Sequence, residues 1–258
     1  MTKWLTGVAL ALVSAAAFSA GAKFPVEAAQ ANIGDQASLQ RGAALFMNYC
    51  ASCHSADLIR YARIGRDLGL TEEQVMTNLN FTGAKFQGPV KVAMSPDDSA
   101  VWFGAPAPDL SLTARAKHEG ADWIYTYLKS FYIDESRPIG WNNPLKIGAS
   151  MPHVLWEYQG VQRMITEPFG KDSAGNDQPC ANGAVGNACF VRFELSQPGL
   201  LSAEAYSQQI RDISNFMAYV AEPAVLERRR YGIWVVLFLA AFTFLAWLLK
   251  REYWRDIH

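Results

Sequence analysis

The 258-residue chain is half hydrophobic and carries a formal net charge of only −1, enough length for one generous domain or a domain with appendages. Phosphate recognition needs a clustered basic face, so this balance gives no reason to expect a nucleic-acid partner. No run of like charge suggests a disordered tail, and no fixed-period repeat suggests a solenoid or propeller.

The chain opens with Met1-Thr2-Lys3, a short apolar stretch over residues 4–18, and then Ala20-Gly21-Ala22. A positive start, an apolar run and a small-x-small site make a secretory signal over residues 1–22, with Lys23 as the first mature residue. The alternative is a retained membrane anchor, for which the apolar run is short.

Residues 39–49 read as a helix whose Leu39, Ala43, Phe46 and Met47 face a core. Cys50-Ala51-Ser52-Cys53-His54 follows, the attachment pattern of a c-type haem. On a helix, positions i, i+3 and i+4 share a face. Two thiols there can form thioethers to two vinyl groups while the next side chain reaches the iron. A thioredoxin-like Cys-x-x-Cys normally follows a strand in a βαβ pattern, and none precedes it. A zinc site needs further Cys or His at short spacing, and none follows. His54 is therefore expected to be the proximal iron ligand.

The sixth ligand is open at this level. Met47 lies on the attachment helix itself, while Met76 and Met217 fall in helical patterns over residues 71–79 and 202–221 that make them core methionines. Met164 is a further thioether in the exported part. Met94 and Met151, the latter in the irregular Gly148-Ala149-Ser150-Met151-Pro152 segment, share the expectation, with His118 and His153 behind them. Acidic residues at Asp97-Asp98, Asp134-Glu135 and Glu119 to Asp122 suit either a solvated surface or the steering of a basic partner. Cys180 and Cys189 bracket a glycine-rich loop, and two leftover cysteines this close in an exported chain are expected to form a disulfide.

Residues 232–249 are eighteen residues without a charge, close to the ~20 that cross a bilayer core. Tyr231, Trp234, Trp247 and Trp254 lie near the ends, where an aromatic belt belongs, and Arg228-Arg229-Arg230 and Lys250-Arg251 flank it. The flanking charges are balanced, so the signal segment sets the expected orientation. The expected domains are residues 23–226 in the periplasm, a transmembrane anchor with flanks over 227–251, and a cytoplasmic tail over 252–258.

From about Leu39 to Arg251 the chain resembles the bacterial cytochrome c1 family, the haem subunits of ubiquinol–cytochrome c reductases. The resemblance rests on Gln40-Arg41-Gly42, Cys53-His54-Ser55-Ala56-Asp57-Leu58 with Tyr61, Pro108-Asp109-Leu110-Ser111, and Arg115-Ala116-Lys117-His118. It continues through Ile147-Gly148-Ala149-Ser150-Met151-Pro152, Ala221-Glu222-Pro223 and Glu227-Arg228-Arg229-Arg230 to the apolar tail. It implies a mainly α, cytochrome c-like haem domain with long loops plus one C-terminal transmembrane helix. It further implies Met151 as the sixth ligand of a covalent haem c, Arg115 as a propionate contact, and Pro108 against the proximal histidine. Bacterial relatives also carry a bridge in the region of Cys180 and Cys189. The implied subunit passes one electron at a time from a Rieske iron–sulfur protein to a cytochrome c, beside a cytochrome b in the inner membrane, within a dimeric complex. Departures are Ala107-Pro108 where the family usually has Pro-Pro, and Lys117-His118-Glu119-Gly120 where Arg-His-Gly-Gly is frequent; both bear on the propionate contacts. Rival expectations are a tail-anchored monohaem carrier donating to a terminal oxidase, and a haem enzyme or sensor with a displaceable sixth ligand.

Overall fold

The computed structural model describes residues 24–255, so the signal segment over residues 1–22 lies outside the described residues. Helix α1 (Gln36–Tyr49) starts where the Asp35 carboxylate accepts from Ser38 N–H, one of the four donors a helix start leaves unpaired. Its Leu39, Ala43, Phe46 and Met47 are all buried, the face read from their spacing. Strand β1 (Ala56–Arg60), α2 (Tyr61–Leu68) and α3 (Glu72–Asn78) follow, with Thr71 and Gln74 forming a reciprocal capping box on α3. Strand β2 (Pro89–Val90) returns antiparallel to β1. Helices α4 (Pro96–Phe103), α5 (Thr113–Ala116) and α6 (Ala121–Lys129) lead into β3 (Tyr132–Ile133) and β4 (Trp141–Asn142), a two-residue antiparallel pair. After α7 (Trp156–Gln159), strands β5 (Gly160–Pro168), β6 (Ala184–Val185) and β7 (Ala188–Pro198) form a sheet in the order β5-β7-β6. Helices α8 (Ala203–Ala221) and α9 (Ala224–Tyr253) complete the chain. The fold is mainly helical, as expected; the longer strands were not.

Two compact units divide the chain. The smaller takes residues 24–25 with Met164–Glu194. In it Phe24, Phe190 and Phe193 meet at ring-centroid distances of 4.9–6.1 Å. Cys180 and Cys189 form the expected disulfide, with Cα atoms 5.3 Å apart. Closing so short a loop removes about 2–3 kcal/mol of unfolded-state freedom in the chain-entropy account.

The larger unit takes Val26–Arg163 with residues 195–255 and holds the main core. Helices α1 and α8 cross so closely that a Cβ on Gly42 would lie 2.1 Å from the Asp212 carbonyl oxygen. Beside that contact Asp212, 2% exposed, accepts from Arg41 at 2.7 and 3.0 Å and from the Ser38 hydroxyl at 2.7 Å. A buried carboxylate is tolerated when so many donors replace its water. Helix α6 joins α8 through the buried Tyr206 hydroxyl, which donates to Leu128 O at 2.9 Å.

Only Glu222 and Pro223 separate α8 from α9. Arg63 ties this junction to α2, reaching Pro223 O at 3.4 Å and Glu227 at 3.5 Å. Beyond it, Arg230–Tyr253 is a 24-residue stretch whose most apolar 18-residue window has a mean hydropathy of 2.4 and no part buried by protein. At 1.5 Å per residue it spans about 36 Å, more than the ~30 Å of a bilayer core. Trp234, Phe238 and Phe242 are each more than half exposed, a surface that suits lipid and not water.

Candidate haem site

Helix α1 delivers Cys50 at its C-cap, where Cys50 N–H donates to Phe46 O at 2.8 Å. The chain then makes one tight further turn: Cys53 and His54 N–H both return to the Cys50 carbonyl, at 3.1 and 2.8 Å. Both thiols are free; Cys50 is buried and Cys53 partly so. Burial pushes the Cys50 thiol up to about 12, with the neighbouring Cys53 adding to the effect, so it stays protonated.

His54 is 9% exposed, and its Nδ1 is 2.8 Å from the Pro108 carbonyl oxygen. A carbonyl only accepts, so Nδ1 carries the proton and the Nε2 lone pair remains for a ligand. Burial lowers the histidine's pKa, outweighing Pro108 and Asp109, which favours the neutral ring an iron ligand needs. Two unpaired thiols, three residues apart, beside an imidazole oriented in this way are the donor set that a c-type haem requires.

The segment that presents Pro108 is fastened to the attachment motif. Leu110 N–H donates to Ser55 O at 2.8 Å. The Asp109 carboxylate accepts from Ser55 Oγ, Asp57 N and Ser111 N at 2.6–2.9 Å. Burial pushes the Asp109 carboxyl up, but hydrogen bonds from Ser111, Ser55 and Asp57 outweigh it and hold the group below its ordinary value. Buried Ser111 completes the join by accepting from Leu58 N–H at 3.0 Å. Asp109 and Ser111 entered the sequence reading through resemblance alone; here they fix the carbonyl that orients His54.

The other expected residues separate. Met94 N–H donates to Ser52 O at 3.2 Å, so its backbone is tethered to the Cys-x-x-Cys turn. Met151 is half-buried and packs against the core that also contains Cys50 and Ala51. The His118 side chain is 97% exposed, whereas His153 is 2% exposed and stacked on Phe131. Burial pulls His153 down to about 4, against a smaller opposing effect from Gln159. Met217 is buried in the core as expected. The Arg115 guanidinium is 4.0 Å from Glu222 at the head of α9. Asn142 and Arg137, which spacing did not single out, both bond Gly148 ahead of Met151.

A helical domain with such a donor set, followed by one apolar spanning helix, defines the class: a membrane c-type cytochrome. The chain matches the Cytochrome C1 family over residues 28–159 and 202–257, and it belongs to that family. It is 43% identical to cytochrome c1 of Allochromatium vinosum over 258 residues, covering all of both chains. It is 39% identical over 258 residues to a Nitrosomonas europaea protein named ammonia monooxygenase gamma subunit, covering 100% of this chain and 99% of that one. Cytochrome c1 of Rhodospirillum rubrum is 24% identical over 259 residues, covering 86% of this chain and 83% of its own. The chain is thus an electron-transfer subunit of the kind that carries a covalent haem c. The residues between the two matched blocks include β5, β6, β7 and the disulfide.

Proposed function

We propose that this chain is the haem subunit of a quinol–cytochrome c reductase, passing single electrons from a Rieske iron–sulfur protein to a cytochrome c. The observation that carries the reading is the His54–Pro108 hydrogen bond beside two free thiols, on a domain that ends in a spanning helix. Cys50 and Cys53 would hold the haem through two thioethers, and His54 Nε2 and the Met151 sulfur would ligate its iron. Bound haem supplies reversible one-electron exchange, at a potential that His/Met ligation raises. The chain's own residues orient and shield: Pro108 O fixes the His54 tautomer, and the core around Cys50 excludes water. The tether of Met94 to the Cys-x-x-Cys turn supports Met151 over Met94. Arg115 takes the propionate role by resemblance, with Glu222 as a rival partner.

Residues 1–22 are the cleaved signal, and residues 23–226 stand in the periplasm. The anchor over residues 227–251 packs beside cytochrome b in the inner membrane, leaving 252–258 in the cytoplasm. Quinol chemistry belongs to the partner subunits; this chain is the carrier.

Met151→Leu tests the ligand set. Loss of the thioether-to-iron absorption band and a lowered potential are expected. A wild-type spectrum and potential would overturn the assignment and return the role to Met94. Co-purification tests the assembly: b haems and a Rieske cluster are expected, and a terminal oxidase in their place would point to the monohaem carrier.

A further inference from the structure

We infer that β4 and the turn before it form a clamp that sets the position of Met151, with Asn142 and Arg137 as its gripping residues. The inference rests on the reading above that Met151 supplies the thioether. Gly148 lies three residues ahead of Met151 with φ +78°, backbone that a side chain rarely adopts. Its N–H donates to Asn142 Oδ1 at 2.8 Å, and its carbonyl accepts from Arg137 Nη2 at 3.0 Å. Two side chains therefore hold both backbone groups of one residue.

The Asn142 side chain is held in place, and the backbone that carries Arg137 is tied down. Asn142, 4% exposed, donates through Nδ2 to Asp134 Oδ2 at 2.8 Å, while its Oδ1 also accepts from Asn143 N–H at 2.9 Å. Arg137 N–H donates to the Asp134 carbonyl at 3.0 Å, so Asp134 steadies both. Fully buried Asn143 mounts the assembly on α6 by donating to Tyr127 O at 2.7 Å.

The downstream side is held by rings. His153, two residues past Met151, stacks on Phe131 at 5.1 Å and 8° and meets the edge of Trp141 at 5.2 Å. Trp141 and Asn142 are the two residues of β4, so one short strand holds the loop on both sides of Met151. An irregular segment would otherwise lose several residues' backbone freedom each time the thioether engages. Here that ordering is built into the fold, and Asn142 and Arg137 are positioning residues.

The test uses the haem-loaded full chain in Asn142→Ala and Arg137→Gln forms, reading the thioether band and the affinity of the ferric protein for imidazole. Imidazole binds the methionine-off state, so its apparent affinity reports the population of that state. Losing one grip is expected to raise that affinity roughly five- to thirtyfold, with partial recovery in Arg137→Lys. A merely structural role lowers melting temperature and leaves the affinity in place. If Asn142→Ala fails to fold, Arg137→Gln alone decides, because its side chain is only partly buried. A wild-type band and affinity in Arg137→Gln overturn the clamp while Met151→Leu still loses the band. If Met151→Leu keeps the band, the ligand reading fails and the clamp with it.

Discussion

Asp109 does three jobs with one carboxylate, accepting from Ser55, Asp57 and Ser111 and so holding the Pro108 carbonyl against His54. An asparagine at this position would turn a donor toward a donor. Because the folded state holds Asp109 below its ordinary value, its contribution is complete above the unfolded pKa of about 4 and is lost as pH falls through the lower folded value. Asp109→Asn is therefore expected to lower stability by about 1 kcal/mol at neutral pH, a figure kept small because solvent reaches the group. Urea unfolding of the two proteins should show the gap closing below about pH 4; a gap constant with pH would mean that the carboxylate's charge is not what counts. The sequence named the Asp-Leu-Ser segment only by likeness. Its hydrogen bonds join residues more than fifty apart, and no local pattern encodes such a pair.

At the level of elements, legibility followed periodicity. The buried face of α1 was readable because its apolar residues recur at helical spacing. The helical patterns over residues 71–79 and 202–221 correspond to α3 and α8, and Thr71 and Ser202 at their starts cap the two helices. Strands β3 and β4 were not readable, since two residues cannot display alternation and their pairing is set by what they pack on. Gly42 was legible only as a letter in Gln40-Arg41-Gly42, yet it sets the approach of α1 to α8. A methyl group there would meet backbone at 2.1 Å and the Phe216 Cβ at 2.8 Å, and neither is able to rotate away. Overpacking typically costs 1–3 kcal/mol and alanine returns about 1 through helix propensity. Because the clash is with backbone, Gly42→Ala is expected to lose about 2 kcal/mol net, a fall in melting temperature of roughly 4–8 °C. A melting temperature at or above wild type would show that the two helices can separate without cost.

The whole molecule combines a domain folded for water with a helix folded for lipid, and the charge distribution along α9 marks the change. Arg228 pairs with Glu222 at its head, Arg255 pairs with Glu252 beyond its end, and the apolar turns between them have no protein cover. Two apolar segments in the sequence are able to hold such a chain in a membrane, residues 4–18 and residues 232–249, and the signal reading requires that only the second does so in the mature protein. Leu239→Arg with Phe242→Arg puts two charges near the middle of α9, where each costs about 2.5–3.5 kcal/mol to insert. Both side chains are more than half exposed, so the helical domain does not depend on them. The double variant is expected to wash from membranes with alkaline carbonate while keeping its haem absorption, and Leu200→Arg, on an exposed loop residue, is expected to stay bound. Should the double variant remain in the membrane, residues 4–18 are a retained anchor and the cleavage before Lys23 is wrong. Should it lose its haem absorption as well, α9 shapes the haem domain through the Arg63 contacts at its base, a coupling that the present geometry does not require.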